Sequence, residues 1–191
     1  MHFVSTSVLS VLAVIGSTAI LGANALGCSY VNDASTAIIK NYDEFSDTPT
    51  NANGQTVIGY GHVCKQDKCA DVPYRFPISQ VNAQVMLADD EKQATQCLNL
   101  YIDKSVELNE NQWGALVSWT TSVGCNSVQS STLVEKLNNG EDLNTVAKQY
   151  LPTYNKVGNN EMLALTRRRD AEVKLFQTPS SEAAFPDCPF D

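Results

Sequence analysis

Three features of the sequence predict an α+β chain that is mainly α. Residues 57–64 alternate β-branched, Gly and aromatic side chains as a strand does. The stretches that follow carry apolar residues at helical spacing, with Val81, Ala83, Met86, Leu87 and Ala94 as the longest set. At 191 residues, 43% of them hydrophobic, the chain suits one domain with a substantial core.

Residues 1–25 stand apart from the rest. They hold no Lys, Arg, Asp or Glu, contain an apolar run from Val8 to Ile15, and end in Ala23-Asn24-Ala25. This pattern reads as a cleaved signal peptide rather than a membrane anchor. The mature domain is therefore 26–191, with 180–191 as a Pro-containing tail. Asp33 is placed to cap a helix over 33–45, with Ala37, Ile38 and Tyr42 on one face. Residues 46–54 are rich in Thr, Pro and Asn and read as turns. The strand follows, and its two glycines around Tyr60 mark a backbone that something else approaches closely.

Pro77-Ile78-Ser79 opens the long amphipathic helix. A helix beginning near Leu108-Asn109 is apolar on most sides, which makes it the central core helix, with Gly124 as its stop. Shorter helices are expected over 131–137, 143–149 and 162–176.

All six cysteines lie in the mature part, which in an exported chain points to disulfides. The expected pairs are Cys64–Cys69, closing a small loop, Cys97–Cys125, joining two helix ends, and Cys28–Cys188, joining the termini. The net charge of −8 argues against nucleic acid as a partner and against capture by anionic surfaces. No later segment is long and apolar enough to span a bilayer.

The motifs from Cys28 to Thr178 resemble those of the phage-type lysozymes of glycoside hydrolase family 24, in the form carried by fungi. Asp33-Ala34 to Tyr42 is similar to the family's first helix, and Ile58-Gly59-Tyr60-Gly61-His62 to its strand motif. Leu108-Asn109 to Trp119 is similar to its core helix, and Arg167-Arg168-Arg169 with Ala171-Glu172 completes the order. The resemblance implies a lysozyme-like fold. It also implies hydrolysis of the bond between N-acetylmuramic acid and N-acetylglucosamine in peptidoglycan, without metal or organic cofactor. A secreted monomer acting on peptidoglycan or a related wall glycan is expected.

The resemblance also implies a Glu at the end of the first helix, an Asp in the turn before the strand, and a Thr opening it. One protonated carboxyl must donate to the leaving oxygen, while a second, ionised one activates water or supports positive charge on the sugar. This chain departs at all three positions. Asp43 stands at the Glu position, followed by Glu44, while Asn51 stands at the Asp position and Val57 at the Thr position. Ser122 replaces an Asn of the core helix that faces the family's cleft.

Asp43, Glu44 and Asp47 are then the candidate catalytic carboxylates, with Glu44 as acid and Asp47 as the second group if the shortened turn shifts the helix end. Asn51, Val57, Tyr60, His62 and Ser122 are the candidate substrate contacts. Each has a plainer reading: the carboxylates as a solvated helix end, and His62 as a donor bridging hairpin and helix. By the same plain reading Trp113 and Trp119 belong to the core, and the arginine run is a solvated or ion-paired face. Two functions stay open, a weakened hydrolase or a lysozyme-like binder without turnover. Two carboxyls facing each other roughly 6.5–9.5 Å apart would suit an inverting hydrolase; a single one would suit the binder.

Overall fold

The structure, a computed structural model, describes residues 31–184. The expected signal peptide and the Cys28–Cys188 pair lie outside the described residues. Seven helices and five strands follow one another as α1 (Asp33–Tyr42), β1 (Ser46–Ala52), β2 (Gln55–Gly59), β3 (His62–Val63), α2 (Gln80–Tyr101), α3 (Glu110–Val123), α4 (Cys125–Gln129), α5 (Thr132–Asn138), α6 (Leu143–Tyr150), β4 (Lys156–Val157), β5 (Asn160–Glu161) and α7 (Leu163–Phe176).

Helix α3 is the centre, as its composition predicts. Asn109 and Gln112 form a reciprocal capping box at its start, and Gly124, at φ +77°, ends it. Every residue from Trp113 to Thr120 is buried. Gly114 makes room for α1: a Cβ there would lie 2.8 Å from Asn32 Oδ1 and 3.0 Å from Ser35 Cβ. The Ser35 hydroxyl donates to the Gly114 carbonyl at 2.6 Å. This close approach fixes where the far end of α1 emerges.

The buried side chains form two clusters. The larger gathers α3, α5, α6 and the ends of α2 and α7; the smaller gathers Ile58, Cys69, Val72 and Ile78. Helix α2 serves both, giving Ala83 and Met86 to the small cluster and Ala94, Cys97 and Leu98 to the large one. Cys64–Cys69 closes the small loop (Cα–Cα 4.9 Å) and Cys97–Cys125 ties α2 to α4 (5.8 Å), as expected.

Several expectations need correction. The cap of α1 is Asn32, whose side chain accepts from the Ser35 N–H, and the helix stops at Tyr42. Its buried stripe is Ser35 and Ile39, leaving Ala37 exposed. Residues Ser46–Ala52, read as turns, form an antiparallel strand against β2. Its register shifts between Ser46 and Thr50, where Pro49 lacks an N–H for a regular ladder. A second hairpin, β4–β5, was not anticipated. Val81 is 68% exposed, because α2 presents the opposite face to the small cluster at its start. As far as Ala184 the tail is bonded through its backbone to the start of α3. Glu110 N–H donates to the Glu182 carbonyl, and Ala184 N–H to the Leu108 carbonyl, each at 3.0 Å.

Candidate active site

A cleft of about 880 Å³ opens between the β1–β2 hairpin and the helical body. The end of α1, the last turn of α3, the β4–β5 hairpin and the start of α7 supply its other walls. Its only acidic lining residues among those described are Asp43 and Glu44. They are neighbours at one helix end, not partners facing each other.

Asp43 is the C-cap of α1, its N–H donating to the Ile39 carbonyl at 2.8 Å. Its carboxylate accepts from Arg168 Nη1 at 2.7 Å. Gly61 lies directly against it: a Cβ there would come within 2.9 Å of Asp43 Cγ, and φ is +80°. Here is the close approach that the Gly-Tyr-Gly segment predicts. Gly59 shows it too, with Ala83 of α2 at 3.3 Å from where a Cβ would be.

Arg168 is 3% exposed, and its other two nitrogens are bonded as well. Nε donates to Glu172 at 3.2 Å, and Nη2 to the Ser118 carbonyl at 3.0 Å and the Thr121 hydroxyl at 3.1 Å. Arg169, wholly buried, meets the other Glu172 oxygen at 2.9 Å. Burial pulls the Arg169 guanidinium down to about 10, so it stays charged at neutral pH. Burial also pushes the Glu172 carboxyl up, against the pull of the two guanidiniums. Two guanidiniums thus face two carboxyls, and Asp43 is the cleft-facing member of the cluster. Of the two plain readings of the arginine run, ion-paired holds for Arg168 and Arg169, which at helical spacing turn inward toward Glu172, while Arg167 stays outside.

Glu44 is exposed, and among the described residues its carboxyl has no ion pair or hydrogen bond. Asp47 is exposed on β1 and does not line the cleft; its carbonyl accepts from Ile78 N–H at 2.8 Å. The strand that replaces the expected turn carries it away from the helix end.

Asn51, Val57 and Ser122 do line the cleft. The Asn51 side chain accepts from Gly54 N–H at 3.1 Å and closes the hairpin turn. Tyr60 and His62 do not line it. Tyr60 packs on Phe45 with ring centroids 5.6 Å apart, under the Lys40 ammonium. His62 Nδ1 lies 3.0 Å from Asp90 on α2, which makes it the bridge between hairpin and helix that its plain reading describes. The hydrogen bond to Asp90 raises its pKa above the ordinary value.

Trp113 and Trp119 are core residues, Trp119 edge-on to Tyr154 at 5.0 Å. Glu141 pairs locally with Lys136 at 2.8 Å. Sequence reasoning missed Thr50, Tyr154 and Lys156 as cleft-lining groups. Thr50 is the cross-strand partner of Val57, so recognising β1 would have found it. No signal in the sequence points to the other two.

A small β lobe and a helical body sharing one long helix, with carboxyls where the first helix enters the cleft, define a lysozyme-like fold. Solved structures carry the same fold. The muramidase domain of SpmX from Asticaccaulis excentricus matches with TM-score 0.65 at 23% identity, covering 78% of this chain and 98% of that one. A P22 lysozyme variant matches with TM-score 0.63 at 23% identity, over 78% and 98%.

Residues 40–172 match the phage lysozyme family, and the chain belongs to it. The endolysin of Bacillus phage PZA is 36% identical over 121 residues, which is 63% of this chain and 43% of that protein. That of Acyrthosiphon pisum secondary endosymbiont phage 1 is 32% identical over 127 residues, 65% of this chain and 82% of that one. The chain spans less than half the length of the Bacillus phage endolysins it matches.

Proposed function

We propose that this protein is a lysozyme-type hydrolase that cleaves the bond between N-acetylmuramic acid and N-acetylglucosamine in bacterial peptidoglycan. One observation carries the reading: the cleft of a phage-lysozyme fold keeps two carboxyls at the end of α1, one anchored and one free. Asp43, held by Arg168, supplies the fixed negative charge that supports a developing oxocarbenium ion. Glu44, unpaired, donates the proton to the leaving oxygen. Asn51 and Val57 supply neither base nor hydroxyl to activate water, so turnover is slow.

The same proposal assigns the chain to glycoside hydrolase family 24, in the exported form that fungi carry. The motif order from Asp33 to Glu172 supports this. Export is supported by the charge-free start and the two disulfides, which suit an oxidising compartment. Among the described residues no helix is long and apolar enough to cross a membrane. The working unit is a monomer.

The test is muropeptide release measured by mass spectrometry. Glu44→Gln should lower it by about 100- to 10,000-fold, the range of general acid catalysis. Asp43→Asn should also lower it, because the fixed charge is lost. Asn51→Asp with Val57→Thr should raise it. A second reading, binding without turnover, is favoured because no acid of the facing hairpin lines the cleft among the described residues. Wild-type protein that sediments with insoluble peptidoglycan yet releases no muropeptides would establish that reading instead.

A further inference from the structure

We propose that Lys156 reads a carboxylate carried by the muramyl residue, and so selects muramyl-bearing chains over neutral N-acetylglucosamine polymers. This rests on the cleft being a glycan site, whether or not turnover occurs there.

Two cations line the cleft, Arg168 and Lys156. Arg168 is buried, and its guanidinium is already bonded to Asp43, Glu172, Ser118 and Thr121. Lys156 is therefore the only lining cation among the described residues that is free to meet a ligand. Its side chain is 51% exposed, and its nearest anion, Glu161, stands 3.8 Å away and is 69% exposed. A pair that long and that wet is screened and exchanges its partner readily.

The backbone nonetheless fixes where this flexible side chain starts. Lys156 and Glu161 are register partners in β4–β5, and Gly158, at φ +60°, turns the hairpin between them. Tyr154, Val157 and Met162 line the cleft from the same part of the chain. They offer an apolar surface suited to a sugar face or an acetyl methyl, with one positive charge beside it.

The charge is unusual for its setting. The chain carries −8 overall, so attraction of an anionic polymer must come from a local cation within a Debye length of the ligand. Polymers of N-acetylglucosamine have no charge to meet. A muramyl residue carries a lactyl ether that ends either in a free carboxylate or in a peptide bearing carboxylates. Both sources present the same group. A lysine, as a mobile point charge, accepts either geometry.

The experiment measures dissociation constants of the full-length secreted protein for three soluble glycans. These are peptidoglycan fragments with stem peptides, the same fragments stripped of peptides by an amidase, and a chitin oligosaccharide. Lys156→Ala should weaken binding to at least one muramyl ligand by about three- to fivefold, the scale of a partly exposed ion pair. It should leave chitin binding unchanged, and Lys156→Arg should restore the loss. A loss on the stripped ligand alone assigns the contact to the free lactyl carboxylate, a loss on the intact ligand alone assigns it to a stem-peptide carboxylate, and a loss on both shows that Lys156 meets whichever carboxylate the muramyl residue carries. Equal weakening on chitin, or no weakening on any ligand, overturns the proposal. Selective binding without muropeptide release would refute the hydrolase reading and leave this one standing. Release with no selectivity would do the reverse, and failure to bind any of the three would sink both.

Discussion

Glu172→Gln tests whether the charge cluster behind Asp43 supports the fold. Glu172 is wholly buried and is the one anion shared by Arg168, at 3.2 Å, and Arg169, at 2.9 Å; its Oε1 also accepts from the Ser118 hydroxyl at 2.8 Å. A Gln there keeps the shape and one acceptor. It leaves two buried guanidiniums with Asp43 as their only described counter-charge, and Asp43 touches Arg168 rather than Arg169. Breaking a buried pair from one side costs about 3–5 kcal/mol. For a domain of this size each kcal/mol lowers Tm by about 2–4 °C, so a fall of about 6–20 °C is expected. Urea unfolding followed by tryptophan fluorescence reads the change, since Trp113 and Trp119 both lie in the core. Glu141→Gln, which breaks the exposed pair with Lys136, is the control and should leave the midpoint unmoved. A loss below about 1 kcal/mol in Glu172→Gln would show that the guanidiniums are solvated in some other way, and that α7 is not held by its charges.

Two further outcomes follow from titrating groups. His62 gains from its hydrogen bond to Asp90, which raises its pKa above 6.5. That stabilisation is fully present below the unfolded value and is lost as pH rises through the folded one. The gap in urea midpoint between wild type and Asp90→Asn should therefore narrow from pH 6 to pH 8, and a gap that widens would contradict the assignment. Glu91 is 7% exposed, and burial pushes its carboxyl up, so the ionised form costs stability as pH rises past its ordinary range. Glu91→Gln keeps the acceptor for the Thr36 hydroxyl at 2.6 Å. It should stabilise the protein at pH 7 on the order of 0.5–1 kcal/mol and make no difference below about pH 4. Equal effects at both pH values would show that the gain is not electrostatic.

The sequence disclosed most about elements whose signals are local. The start near Leu108-Asn109 and the stop at Gly124 marked α3 from its own residues, and the capping box bears out that start. The glycines of the strand motif announced a close approach, but only the fold names Asp43 and Ala83 as what approaches. Strand β1 was illegible, because Ser46-Asp47-Thr48-Pro49-Thr50 has the polar composition of a loop and is a strand only through its pairing with β2. The inward turn of Arg168 and Arg169 was equally hidden: charged residues are rarely buried, and what permits it here is Glu172 three and four residues on. In the cleft, sequence counting put Asp43, Glu44, Asn51, Val57 and Ser122 together, and they do line the same cleft. Asp47, Tyr60 and His62 sit elsewhere because strand direction and the hairpin's two faces, not distance along the chain, decide which side chains point into it.

The first turn of α3 gathers both ends of the described chain. Asn32 donates to the Asn111 side chain at 2.8 Å, Asn111 donates to the Thr178 carbonyl at 3.1 Å, and Ala184 is bonded to Leu108. The cleft touches the opposite end of that helix, at Thr121, Ser122 and Val123, about 16 Å further along from Asn111 to Ser122 at roughly 1.5 Å per residue. A partner module spliced on at residue 31 or 184 would leave from one edge of the described fold, at a distance from the cleft. A circular permutant of residues 31–184 would need only a short linker across that edge, with new termini opened at the Gly158-Asn159 turn or another exposed tip.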